Sequence, residues 1–176
     1  MRVLVMSVIL FLNFTLQTTL FQSIGIMEIK PNTALIIVVS YAILREDVEG
    51  CIIGFFAGLL QDIFFMDFIG LQALLFAVTG YLCGKPFRDF FRENYWMPLG
   101  LTVVAVFSYE FAFYVLRFLL FRQFDVLFYI RRIILPETFY TAVLVIPIYK
   151  LLYGVNKKLE EREKRKQSIF SKDVYK

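Results

Sequence analysis

The sequence predicts an all-α polytopic membrane protein built as a six-helix transmembrane bundle. Three observations carry that expectation. Hydrophobic residues make up 59% of the chain and aromatic residues 18%, against only 19% charged, a balance outside the range of soluble domains. Long apolar stretches recur from one end of the chain to the other. The 176 residues hold five or six spans of about 20 residues with short connections, and leave no room for a soluble domain. Residues 32–44 leave an alternative open, in which five spans are joined by one short or re-entrant segment.

Residues 3–24 form an apolar run interrupted by Asn13, Gln17 and Gln22. The run is long for a signal-peptide core and lacks a small-residue cleavage site, so an uncleaved first span is expected. Residues 32–44 follow Pro31 and would cover only about 20 Å as a helix, which makes them the weakest span. After a charged turn at 45–49 come two apolar segments, about 50–66 and 68–84, read as a helix hairpin that Lys85 and Pro86 end. Phe87, Phe90, Phe91 and Tyr95 then fall at i, i+3, i+4 and i+8, with Arg88, Asp89, Arg92 and Glu93 between them. That spacing predicts a short helix lying in the cytoplasmic interface. Residues 98–120 make the next span, 118–132 are expected to lie partly along the surface, and 133–153 make the last span, with Pro136 in its first turn and Pro147 as a kink.

From residue 155 onward the chain is polar. This tail carries eight basic residues against four acidic ones and so accounts for the whole net charge of +4. Glu160 with Lys164 and Glu161 with Arg165 have the favourable i, i+4 order, so the last helix is expected to run on beyond the bilayer. We read 1–154 as the transmembrane bundle and 155–176 as a basic cytoplasmic tail. With both ends inside, the cytoplasmic side collects 14 cations and the outer side 5, which places the C-terminus inside by the positive-inside rule. Moving the N-terminus outside leaves that ratio unchanged, so its side stays open.

Two constellations stand out. Gly50, Gly54 and Gly58 repeat every four residues and lead to Asp62; small residues at this spacing let another backbone approach closely, either within the chain or from a partner. Helix rise places Gln17, Asp62, Glu110 and Glu137 at one level, about 20 to 24 Å from the cytoplasmic face. Tyr114 and Arg117 continue the Glu110 face. Carboxylates facing lipid are costly, so this outer polar layer is expected to turn inward. It would act as a knot that orients helices, as an outward-opening pocket for a ligand or partner side chain, or as a proton or ion relay.

The chain contains no His, and its two cysteines, Cys51 and Cys83, stand on different segments. Zinc and haem sites therefore lack ligands, and no cofactor is expected. Nor is there a Ser/His, Cys/His or two-acid motif at catalytic spacing, so an enzyme is not expected.

The hairpin carries a pattern with a known counterpart. Gly54, Gly58, Leu59 and Asp62, followed by Gly70, Leu71, Leu74 and Tyr81, resemble the hallmark of the MreD family of bacterial rod shape-determining membrane proteins. The resemblance extends along nearly the whole chain. It implies a non-enzymatic scaffold subunit of the cell-elongation complex in the bacterial inner membrane, similar in fold to the substrate-binding membrane components of vitamin transporters. It further implies binding to the single-span protein MreC, action with RodA and its transpeptidase partner, and an indirect link to MreB in directing side-wall peptidoglycan synthesis. Gly50, Gly54, Gly58, Leu59, Gly70 and Tyr81 are then the expected helix-packing or partner interface. The lipid bilayer is the expected surrounding, with no nucleic acid partner. A vitamin-type binding component of a transporter is the alternative function.

Overall fold

The structure, a computed structural model, describes residues 2–24, 31–45, 47–66, 69–84, 96–121 and 126–174. It is all-helical, and six helices make up the described part. They are α1 (Arg2–Ile24), α2 (Thr33–Leu44), α3 (Asp47–Phe65), α4 (Leu71–Gly84), α5 (Trp96–Phe121) and α6. Helix α6 begins as Val126–Tyr129, passes through a π-helical turn at Ile130–Ile134 and continues as Leu135–Val174. Pro136 has no N–H to donate to the preceding turn. The wider turn just ahead of it, closed by the Leu135 N–H on the Ile130 carbonyl, shifts the hydrogen-bond register at that point.

Three stretches are long and apolar enough to cross a bilayer, Asp47–Phe65, Pro98–Leu116 and Ile130–Arg162. Shorter apolar helices cover Leu4–Thr19, Thr33–Leu44 and Leu71–Gly84. Large apolar side chains such as Leu4, Phe11, Phe56, Phe64, Val104, Phe139 and Leu151 face outward, as a bilayer-embedded bundle requires.

The shortest of the apolar helices is the centre of the fold. Every residue of α2 is buried, and α2 touches each of the other five helices. Its sequence, TALIIVVSYAIL, has no charged residue and no polar face; a helix that is apolar all round belongs in a core. Twelve residues rise only about 18 Å, but a helix enclosed by others does not have to match the bilayer thickness. Asn32 caps it, with Oδ1 accepting from the Leu35 N–H at 3.1 Å, and the Asn32 N–H donates to Thr141 Oγ1 of α6 at 3.1 Å. Around α2 the core is filled by Phe76, Val106, Tyr109, Tyr149 and Leu152, with the Phe76 and Tyr109 rings edge to face at 4.9 Å.

Helices α3 and α4 share the most extensive interface in the molecule, and glycine makes it. A methyl group on Gly58 would lie 2.5 Å from the Gln72 carbonyl oxygen and 2.6 Å from the Ala73 Cα. On Gly54 it would collide with the Phe76 carbonyl, and on Gly50 it would meet the Ala42 Cβ of α2 at 2.7 Å. From the other side Gly80 abuts the Gly50 carbonyl and Gly84 the Asp47 Cα. The glycine stripe is therefore used inside the chain, on its own hairpin partner. Gly70 differs from the stripe, since its φ is +111° and a methyl there would touch nothing within 4 Å. The residue serves the turn and not a close helix approach.

The remaining sequence expectations fare differently. Residues 126–132, from the stretch expected to lie partly along the surface, form the helical start of α6, with Arg131 and Arg132 exposed. Pro147 sits within that helix, which runs on to Val174 as the i, i+4 charge pairs suggest. Phe87, Phe90, Phe91 and Tyr95 lie outside the described residues.

Leucine at Gly54 or Gly58 is expected to cost more than about 3 kcal/mol, above the usual overpacking range, because the atoms in its way are backbone. Leucine at Gly100, which is exposed and has no neighbour within 4 Å, is expected to change stability little. Membrane abundance and thermal unfolding of the purified variants measure this, and comparable behaviour of all three would remove the close approach as a constraint.

Candidate functional site

One end of the bundle gathers polar side chains from all six helices. Gln17 of α1 and Gln61 of α3 join there, Gln61 Nε2 donating to Gln17 Oε1 at 3.1 Å. Asn32 at the head of α2, Gln72 in the first turn of α4, Glu110 of α5 and Glu137 of α6 complete the set. Together with Tyr109, Phe113, Tyr129, Phe65 and Met66 they enclose a cavity of about 280 Å³. Each position has a local reason. Glu137 sits just past the π-helical turn, one residue beyond Pro136. Asn32 is held by its cap and by Thr141.

The Glu110 and Glu137 side chains hydrogen-bond to one another, and the Asn32 side chain also bonds Glu137. The contact sets two acids side by side in the cavity wall. Gln72 is 5% exposed, and its Oε1 has no hydrogen-bond partner. Aromatic stacking shapes the walls: Tyr109 lies on Phe113 at 5.9 Å, and Tyr129 meets Tyr114 at 4.7 Å.

Asp62 does not line this cavity. Its side chain is fully buried, and its carboxylate receives three backbone N–H groups at the start of α4: Gly70 at 2.8 Å, Ala73 at 3.0 Å and Gln72 at 3.1 Å. Asp62 is thus an N-cap supplied from the neighbouring helix, where Gly70 has no side chain of its own to cap with. The depth count groups it with Gln17, Glu110 and Glu137, but the carboxylate turns to backbone amides that sequence does not display. Tyr114 is buried behind Tyr129 and is not part of the lining, while the Arg117 side chain lies outside the described residues. Gln17, Glu110 and Glu137 do come together in the cavity. Gln61, Gln72, Asn32 and Tyr129 join them without having been singled out in the sequence. Their signal is that each of the three amides interrupts or heads an apolar helix.

On the outer surface, α1 and α3 diverge over a larger groove of about 500 Å³. Met6, Leu10 and Phe11 form one wall, and Ile52, Phe56, Leu59 and Ile63 the other, with Glu49 at one end. Leu59, expected at a packing or partner interface, lies here. Tyr81 is exposed instead on the far side of the hairpin, beside Cys51, Phe55, Leu74 and Val78.

Fold and site together define a polytopic helical membrane protein whose glycine-packed hairpin carries a buried capping acid and whose polar groups converge at one end. The family model for rod shape-determining protein MreD matches residues 1–155. The chain belongs to the MreD family: it is a non-enzymatic, multi-pass membrane protein with a role in determining rod shape and an association with the cell-elongation complex. No curated protein and no solved structure matches it.

Replacing Asp62 tests the cap. Asp62→Leu leaves two buried N–H groups and one part-buried one without an acceptor, at about 1 to 3 kcal/mol for each buried group, whereas Asp62→Asn keeps one acceptor oxygen. Asparagine is expected to retain most of the folded protein in the membrane, and leucine little of it. Equal yields of the two variants would show that the cap does not hold the hairpin.

Proposed function

We propose that this protein is a membrane scaffold of the elongation complex that seats the single membrane-spanning helix of MreC in the groove between α1 and α3. The observation that supports this reading is the groove itself. Helix α1 makes few contacts, chiefly with α2 and α3, and leaves a channel of about 500 Å³ with apolar walls in the lipid-facing zone. A helix fills such a channel better than disordered lipid tails, by van der Waals contact along its length. Glu49 at one end complements the basic residues that flank membrane spans on the cytoplasmic side.

In this reading the C-terminus is cytoplasmic, the Glu49 end of the groove lies inside, and the polar cavity opens outward. The basic extension of α6 beyond residue 155 follows the bundle into the cytoplasm and meets anionic lipid there. RodA and its transpeptidase partner join through MreC or on the remaining apolar faces, with MreB reached indirectly. The glycine stripe is occupied within the chain, so partner contact belongs to the groove and not to that face.

Single cysteines in a background lacking Cys51 and Cys83 check this. Cysteine at Phe11, Phe56 or Leu59 is expected to crosslink to the MreC span in cells, and cysteine at Val78 on the opposite side of the hairpin is not. Crosslinks from Val78 alone would move the interface to the other face. Depletion is expected to turn rods into spheres while growth on vitamin-limited medium continues; lost uptake with preserved shape would favour the transporter reading.

A further inference from the structure

The polar cavity has features that packing alone does not require. Among the described residues that line it there is no Lys or Arg, yet it holds the paired carboxyls of Glu110 and Glu137 and the amides of Gln17, Gln61, Asn32 and Gln72. Gln72 Oε1 is buried with no donor to satisfy it. A buried acceptor without a partner destabilises the folded protein and is kept most readily where something else supplies the donor. Among the described residues the components missing from the site are therefore donors and positive charge.

We propose that the cavity binds a monovalent organic cation, an alkylguanidinium or alkylammonium group. The group enters beside Glu110 and Glu137, which supply the countercharge. It donates to Gln72 Oε1, and its alkyl stem lies against Tyr109 and Tyr129, whose ring faces attract cations. A divalent metal fits less well: among the described residues no three His, Cys, Asp or Glu side chains stand together, and hard cations take six or more oxygen ligands. Arg131 and Arg132 do not fill the site, since both are exposed and Arg132 lies over the Phe128 ring at 5.4 Å. The volume of about 280 Å³ takes a small amine or one basic side chain, so free molecule and partner side chain share the chemistry. This inference does not depend on the α1–α3 groove or its occupant.

The test uses the full-length protein in nanodiscs, with binding followed by thermal shift and ligand-observed NMR. The probes are n-butylguanidinium, n-butylammonium, the neutral n-butylurea and the blocked peptide acetyl-Gly-Arg-Gly-amide. The two cations are expected to bind saturably and butylurea roughly tenfold or more weakly, as loss of charge-assisted hydrogen bonds implies. Glu110→Gln and Glu137→Gln are expected to weaken both cations. Gln72→Leu is expected to weaken them while leaving the unfolding temperature of the free protein equal or higher, an outcome that a purely structural role would not produce. Binding of the peptide as well as the free cations assigns the site to a partner's basic side chain; binding of the free cations alone assigns it to a small amine. Equal binding of butylurea, no saturable binding of either cation, or a destabilised Gln72→Leu variant with unchanged cation affinity overturns the proposal.

Discussion

The approach of α3 to α4 leaves no space for a side chain at Gly54 or Gly58, and in a bilayer such closeness has no water-driven collapse to enforce it. Packing contacts and hydrogen bonds must hold it instead. Asp62 supplies the second of these at the point where the hairpin turns. Its carboxylate gathers the first amides of α4, groups that cannot be left unpaired in hydrocarbon. Gly70, with φ +111°, brings the chain back at the angle that lets those amides reach. Glycines, acid and turn are one device, and loss of any part removes the reason for the others.

The hairpin in turn encloses α2. Because α3 and α4 lie so close, they present a continuous wall to one side of α2, while α5 and α6 cover the other. Only α1 stays loosely attached. A fully enclosed helix explains how only twelve residues serve at the centre of a membrane protein, and why the head of α2, with Asn32 tied to Thr141 and Glu137, lies inside the polar end of the bundle. The N-terminal ends of α2 and α4 both lie at this polar end, where Gln72, Glu110 and Glu137 meet.

The two surfaces on which the proposals rest differ in kind. The α1–α3 groove is apolar and lies along the lipid-facing side, suited to another helix. The cavity is acidic and amide-lined, suited to a charged group. In the proposed reading the protein acts by holding other molecules in place, one through its membrane span in the groove and one through a basic group at the end of the bundle.

Much of this was legible from residues alone. Apolar runs with few charges allow nothing but membrane helices, and the glycine, acid and turn order of the hairpin carried the family. Depth counting brought Gln17, Glu110 and Glu137 to one level because helix rise is constant. Direction around the helix axis, however, depends on which neighbour each face meets, and that is a property of the packed bundle. Sequence therefore could not say that the glycine stripe is covered by α4, that Asp62 turns to backbone amides rather than to the carboxyls at its own level, or that the weakest span is the core. Tertiary structure decided these points. Close backbone approach and the satisfaction of buried polar groups are relations between segments far apart in the chain, and a linear pattern records only one side of each.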